Sequence, residues 1–147
     1  MNSSKKFLQF SKSVESPKLT YTSHGFTWCE NSWVFISVDK NIADYYCSIA
    51  KNFGINLKPT DNPHITVVAG KYEQIENYDF KKQKVEFKYG NLLTGGLYYW
   101  LEVECDWIHN FRESYGLKRN LKYKPHISIG KLNHNWGRKT VKRVKER

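Results

Sequence analysis

The chain has 147 residues, of which 39% are hydrophobic and 16% aromatic, and it carries a formal net charge of +10 at pH 7. This length accommodates one domain with its own hydrophobic core, and the aromatic content argues against a disordered chain. No apolar run approaches the roughly 18–20 residues of a membrane-spanning helix, so we expect no membrane partner.

The first half of the chain predicts a strand, a helix and a second strand. Residues 33–38 are β-branched and aromatic, which is typical of a strand. Residues 41–53 repeat apolar side chains, among them Tyr45, at helical spacing, and Gly54 follows at the position that ends many helices. A turn rich in Pro, Asn and Asp leads to residues 64–68, which again predict a strand.

The second half repeats this order. Residues 97–105 predict a long strand, and Asp106 is the expected N-cap of a helix that Gly116 closes. Residues 124–129 predict the last strand of this half. The segment between the two halves is expected to supply connecting strands, such as residues 84–89.

The two halves also share their spacing. Gly54 precedes His64 by ten positions, and Gly116 precedes His126 by ten positions. A duplicated strand–helix–strand unit predicts an α+β fold with two pseudo-symmetric lobes around a central cleft. When His64 is aligned with His126, the apolar positions upstream of the helices do not align. We therefore expect a one-residue insertion or deletion between strand and helix.

The two histidine strands each present one imidazole and one hydroxyl. Because side chains alternate across a strand, His64 and Thr66 share one face, as do His126 and Ser128. The aliphatic residues between them are expected to pack beneath the helices. A neutral histidine can accept a proton while a protonated one donates, and hydroxyls can hold phosphate oxygens, which suits metal-free phosphodiester cleavage. The alternative is that the matching motifs are strand residues without a catalytic role.

The two H-x-[ST]-x motifs, at residues 64–67 and 126–129, resemble the signature of the 2H phosphoesterase superfamily, and the resemblance extends over about residues 33–131. It implies a bilobal 2H phosphoesterase-like fold and a metal-independent phosphodiesterase that uses no cofactor. The residues to which it assigns catalytic roles are His64, Thr66, His126 and Ser128. The serine stands where threonine is commoner in the superfamily.

The resemblance also suggests a substrate class. Members of the superfamily act on RNA ends that carry 2′,3′-cyclic phosphates, while compact viral and phage members cleave 2′,5′-oligoadenylate or cyclic oligonucleotides. This chain is similar to the compact viral type, which implies cleavage of an immune-signalling oligoribonucleotide in evasion of host antiviral defence. The alternatives are an RNA end-processing phosphodiesterase and a non-catalytic basic RNA-binding domain.

Aromatic and basic side chains are candidates for substrate contact. Tyr98 and Trp100 alternate with the apolar residues of their predicted strand, and Trp33 begins the corresponding strand of the first half. Aromatic side chains of this kind can stack on bases. Lys131 follows the second histidine strand and is within reach of a phosphate. Packing in the core or exposure to solvent is the alternative role for each of them.

The composition changes at both ends of the chain. We expect a flexible leader over residues 1–20, a single domain over residues 21–137 and a basic tail over residues 138–147. The tail holds six basic residues and one acidic residue. Such a charge run either contacts nucleic acid or remains solvated.

The cysteine and histidine patterns bear on metals and on the cellular compartment. The three cysteines are widely spaced and form no CxxC pair, so a disulfide scaffold or a zinc ribbon is not expected. No histidine outside the two motifs has ligand spacing with a cysteine or an acid, and we expect no metal and no cofactor. A cytoplasmic protein is expected, in the host cell if the chain is viral.

Overall fold

The computed structural model describes residues 21–75 and 80–133 of the chain. The predicted leader and the basic tail lie outside these residues. The described part contains seven strands and two helices: β1 (Tyr21–Glu30), β2 (Trp33–Ser37), α1 (Lys40–Asn52), β3 (Leu57–Pro59), β4 (His64–Val68), β5 (Lys84–Gly95), β6 (Tyr98–Glu104), α2 (Asp106–Ser114) and β7 (His126–Leu132).

All seven strands belong to one antiparallel sheet with the order β3-β7-β4-β2-β1-β5-β6. Because β6 also pairs with β7, six of the strands close into a ring. The seventh, β3, pairs with the C-terminal end of β7, at residues 130–132. Two helices and an antiparallel sheet make this an α+β fold, as predicted.

Helix α1 forms where the sequence predicts it, and Ile42, Ile49 and Phe53 of its predicted apolar face pack against the core, but its most deeply buried residues are others. Asp39 is the N-cap, and its side chain accepts a hydrogen bond from the Asn41 N–H at 2.9 Å. Tyr45, expected on the apolar face, is 50% exposed. The buried residues are Ala43, Tyr46 and Ala50. The two alanines allow a close approach of the helix to the sheet, and Tyr45 is left outside this contact.

Helix α2 begins at Asp106, so the prediction that this residue is the N-cap was wrong. Cys105 is the N-cap and makes no capping hydrogen bond through its side chain. Asp106 instead lies in the first turn, where a carboxylate interacts favourably with the helix dipole. Gly54 and Gly116 follow the helix ends with φ angles of 80° and 76°, as expected of glycines that close helices.

Each helix packs on the histidine strand of the other half. Helix α1 contacts β7 and β3, whereas α2 contacts β4 and β5. The aliphatic faces of the two histidine strands are completely buried in the core: Ile65, Val67, Ile127 and Ile129. The prediction that these faces pack beneath the helices is confirmed, but each strand packs beneath the helix of the other half.

Comparison of the two halves shows where their alignment slips. Val38 and Val103 each donate a backbone hydrogen bond of 3.0 Å to the carbonyl oxygen of the proline that precedes a motif histidine, so these two valines correspond. Val38 directly precedes the N-cap of α1, whereas Glu104 stands between Val103 and the N-cap of α2, which is the expected one-residue change. The remaining difference in spacing between the halves arises because the helices differ in length: α1 has 13 residues and α2 has nine.

Candidate functional site

The four motif side chains lie on two neighbouring strands. Ile65 of β4 pairs with Ile127 of β7, and in an antiparallel pair the flanking residues then face each other. His64 is therefore opposite Ser128, and Thr66 is opposite His126. All four are half-buried, on the sheet face opposite the buried isoleucines, and so could act on one substrate group.

The two histidines are held in the same way. Nδ1 of His64 lies 2.9 Å from the Asn62 carbonyl oxygen, and Nδ1 of His126 lies 2.9 Å from the Lys124 carbonyl oxygen. A carbonyl oxygen can only accept, so each Nδ1 carries the proton and donates it. Nε2 of each ring then remains for proton exchange with a ligand, accepting in the neutral form and donating in the charged form.

An aromatic ring stands against each imidazole. The Phe35 and His64 ring centroids are 4.7 Å apart with an interplanar angle of 76°, and those of Trp100 and His126 are 6.2 Å apart at 62°. Phe35 and Trp100 occupy equivalent positions, since they pair with Thr66 and Ser128 respectively. The duplication therefore includes the packing around the histidines as well as the motifs.

The structure brings the predicted contact residues to the same face. Tyr98 is 55% exposed and Trp100 is 37% exposed. The register of β6 and β7 shifts between Tyr99 and Trp100, and Lys131 pairs with Tyr98 as a result. Because paired residues point to the same side of a sheet, Lys131 lies on the same face as Tyr98. Trp33 is half-buried and stacks on Phe35, with ring centroids 5.7 Å apart, so it backs the aromatic neighbour of His64.

The surroundings of the two histidines also differ. The Trp28 ring lies beside His64 as well, with ring centroids 6.2 Å apart, and the residues paired with the two histidines are different. Ser37 pairs with His64, and its hydroxyl accepts a hydrogen bond from the Phe26 N–H at 2.9 Å. The corresponding partner of His126 is Glu102, whose carboxylate lies 3.9 Å from the Lys124 ammonium group. The site is thus symmetric in its histidines and hydroxyls and asymmetric in charge.

A cavity of about 860 Å³ adjoins the site. Thr66 and His126 line it, together with Ala69, Tyr72 and Glu73 and with most of the loop over residues 116–125. Arg112 of α2 also lines it and is 1% exposed. Its guanidinium forms a bidentate ion pair with Glu73, in which the Nη1–Oε1 distance is 2.7 Å.

Sequence reasoning missed Phe35 and the Arg112–Glu73 pair. The sequence contains a signal for Phe35, because Trp33, Phe35 and Ser37 alternate with the aliphatic Val34 and Ile36, which are the buried residues of this strand. The pair had no such signal, since its partners are 39 residues apart in the chain. Trp136, a further aromatic residue that the sequence offers for stacking on a base, lies outside the described residues.

Two further features concern metals and membranes. Within residues 21–75 and 80–133, no group of three or more His, Cys, Asp or Glu side chains is arranged to hold a metal ion. Neither of the two helices in this part of the chain has the length and apolar character that crossing a membrane requires.

Comparison with known proteins yields no relative. No protein-family model matches the chain, and no curated protein or solved structure matches it. The function must therefore be argued from the arrangement of the site.

Proposed function

We propose that the protein is a metal-independent phosphodiesterase of the 2H type that cleaves a small oligoribonucleotide. The observation that carries the proposal is the equivalent setting of the two histidines. Each has its Nδ1 bonded to the carbonyl two residues upstream, each has a hydroxyl residue across the β4–β7 pairing, and each has an aromatic ring beside it. A fortuitous motif match would not explain this shared geometry.

The proposed reaction is an internal displacement at phosphorus. The ribose hydroxyl vicinal to the scissile phosphate attacks, a new O–P bond forms, and the bond to the leaving oxygen breaks. One histidine takes the proton of the attacking hydroxyl at Nε2, and the other gives a proton to the leaving oxygen. Thr66 and Ser128 donate hydrogen bonds to the non-bridging oxygens as negative charge develops. The first product is a 2′,3′-cyclic phosphate or its hydrolysed form.

The two-lobed 2H arrangement is part of the proposal. The Ile65–Ile127 pair joins the two histidine strands at equivalent positions, which supports a pseudo-twofold axis between the halves. Each half would then contribute one histidine and one hydroxyl to the cleft, so that acid and base stand on opposite sides of the phosphate.

The proposed substrate is an oligonucleotide of immune signalling, either 2′,5′-oligoadenylate or a cyclic oligonucleotide, cleaved in evasion of host antiviral defence in the cytoplasm. A net charge of +10 favours a phosphate-rich ligand, and the exposed Tyr98 and Trp100 can stack on bases. RNA ends with 2′,3′-cyclic phosphates are the alternative substrate.

The test is turnover in EDTA of a panel that contains 2′,5′-oligoadenylate, cyclic di- and trinucleotides and an RNA with a 2′,3′-cyclic end. We expect cleavage of one class and its loss in His64→Ala and in His126→Ala, whereas His24→Ala retains it because His24 is exposed, pairs with Glu86 of β5 and belongs to neither motif. The pH profile should be bell-shaped, since one group must be protonated and the other neutral.

Three outcomes would contradict the proposal. Abolition of turnover by EDTA would mean that a metal ion takes part. Unchanged turnover in both motif variants would mean that the histidines are not catalytic. Binding of oligonucleotides without cleavage, with an affinity that falls steeply with salt, would identify a basic RNA-binding domain.

A further inference from the structure

The two halves differ in how the sheet continues beyond each histidine strand. In the first half, β3 pairs with the end of β7, and the Thr60 N–H donates to the Ile129 carbonyl oxygen at 3.0 Å. When the two motifs are aligned, the corresponding carbonyl in β4 is that of Val67. This oxygen accepts a hydrogen bond from Arg112 Nη1 at 2.9 Å. A side chain thus takes the place of a strand.

In the second half, Arg112 makes the contact to β4 that corresponds to the contact of the chain after β3 with β7 in the first half. Its Nε donates to the Lys118 carbonyl oxygen at 2.8 Å, and its Nη atoms bind Glu73. The counterpart on α1 is Ala50, which has no group that could do this. Residues 119–121, which correspond to β3, form no strand. Arg112 therefore holds the seam between β4 and this loop open.

The open space between the end of β4 and the loop over residues 116–125 is the cavity of about 860 Å³. Its volume lies in the range of about 300–1,000 Å³ that is usual for small-molecule sites. Tyr72 and Tyr123 line it and are 76% and 69% exposed, and Leu117 and Leu121 add apolar surface. Besides Arg112, which is paired with Glu73, the cations that line it are Lys118, Lys122 and Lys124. Flat aromatic rings, apolar surface and cations together are the chemistry that binds a nucleoside and its phosphate.

We propose that this cavity binds one of the two nucleosides that flank the scissile phosphodiester, with its base against Tyr72 or Tyr123. The inference rests on the proposed function, because Thr66 and His126, which also line the cavity, define where the phosphate lies. Lys118 and Lys122 then face the next phosphate of a longer substrate. Since β3 pairs with β7 at the corresponding place in the first half, the enzyme reads one nucleoside more closely than the other.

The test is a double-mutant cycle between the tyrosines and the bases of the substrate. The KM and kcat of the wild-type protein and of a Tyr72→Ala/Tyr123→Ala variant are measured on a 2′,5′-linked adenylate dimer. The same measurements are made on the two dimers that each lack one base. Because both tyrosines are exposed, their truncation should leave the fold intact. Tyr45→Ala removes a comparably exposed tyrosine from α1 and is the matched control.

We expect the double variant to raise the KM of the intact dimer about tenfold, as loss of a stacking contact would. The increase should be absent for one of the two dimers that lack a base and preserved for the other, with kcat little changed. An equal increase for all three substrates, or none for the intact dimer, would overturn the proposal.

The outcome is separable from that of the proposed function. If the wild-type protein cleaves no dimer, the same cycle is measured with dissociation constants for the three dimers. A coupling between the tyrosines and one base then supports the nucleoside site and leaves only the chemistry in doubt. Equal affinities of the two proteins for every dimer overturn the nucleoside site.

Discussion

Arg112 places a positive charge in the interior of the molecule. Its side chain is almost fully buried, whereas that of Glu73 is 24% exposed, and the guanidinium also bonds two backbone carbonyl groups. Buried charges persist in proteins when they are paired and hydrogen-bonded in this way. The residue therefore links α2, the end of β4 and the loop that follows α2.

Removal of this side chain should be costly. Arg112→Ala leaves the Glu73 carboxylate and two carbonyl groups without their partner, and breaking a buried ion pair costs about 3–5 kcal/mol of unfolding free energy. Arg119→Ala breaks a pair with Glu113 in which both side chains are about half exposed, and should cost less than about 1 kcal/mol. Urea titration of both variants measures the difference, and equal losses would contradict the role given to Arg112.

Buried thiols and phenols make the protein sensitive to alkaline pH. Burial raises the pKa of the Cys47 thiol from 9.0 to about 11, and it also raises the pKa values of Cys105, Tyr46 and Tyr89. A raised pKa in the folded state means that folding favours the neutral form. The resulting stability is present below about pH 9 and is lost as the pH rises toward 11.

We therefore expect the unfolding free energy to fall between about pH 9 and pH 11, with a smaller fall in Cys47→Ala. Urea titrations at fixed pH values measure this dependence. The Cys47 Sγ atom also donates a hydrogen bond to the Ile129 carbonyl oxygen at 3.7 Å. Because the thiolate is the reactive form of cysteine, alkylation of this thiol should accelerate over the same pH interval. Stability that is independent of pH in this range would be inconsistent with burial of these groups.

At the level of elements, the helix ends depend on backbone conformation. Gly54 and Gly116 have positive φ angles, and no heavy atom beyond their chain neighbours would lie within 4 Å of an added Cβ. Glycine is therefore required at these positions for its conformation and not for the space it leaves. The turns that follow carry the chain from each helix towards its histidine strand.

Gly54→Ala should lower the unfolding free energy by about 1–2 kcal/mol, the cost of a left-handed conformation for a residue with a Cβ. Gly96→Ala is the matched control, because Gly96 also has open space around it but no positive φ angle. That change should cost less than about 0.5 kcal/mol. Thermal or urea unfolding compares the two, and a control as destabilised as Gly54→Ala would refute the conformational explanation.

At the scale of the whole molecule, the halves are interlocked. Helix α1 packs on β7 and α2 packs on β4, and pairing of β7 with both β4 and β6 closes the ring of strands. Neither half can bury the aliphatic face of its histidine strand with its own helix. The site, which takes two residues from each half, exists only when both halves are folded.

This arrangement predicts one cooperative unfolding transition. Urea unfolding should give the same midpoint by far-ultraviolet circular dichroism and by tryptophan fluorescence, which reports on both halves through Trp33 and Trp100. The chain has five tryptophans, so the variants to compare retain only Trp33 or only Trp100, with the other four replaced by phenylalanine. Two separate midpoints would show that the halves fold independently.

Much of the fold could be predicted from the sequence because local patterns encode it. The strands at residues 33–38 and 64–68 and the helix after Asp39 follow from alternation, helical spacing and a closing glycine. Strand β1 was missed because Gly25 and His24 interrupt its pattern. Gly25 is needed there, since an added Cβ would lie 1.8 Å from the Ser37 carbonyl oxygen. Strand β3 has three residues and ends in proline, which is too short for a periodic signal.

The sequence by itself determined the duplication, the two motifs and the alternation that puts His64 and Thr66 on one face, because these depend on residues close together in the chain. The Ile65–Ile127 pairing, the exchange of helices and the seam held open by Arg112 were decided by the tertiary structure. Each of these contacts joins residues from opposite halves of the chain. Only the packing of the whole chain selects such partners, and no local pattern specifies them.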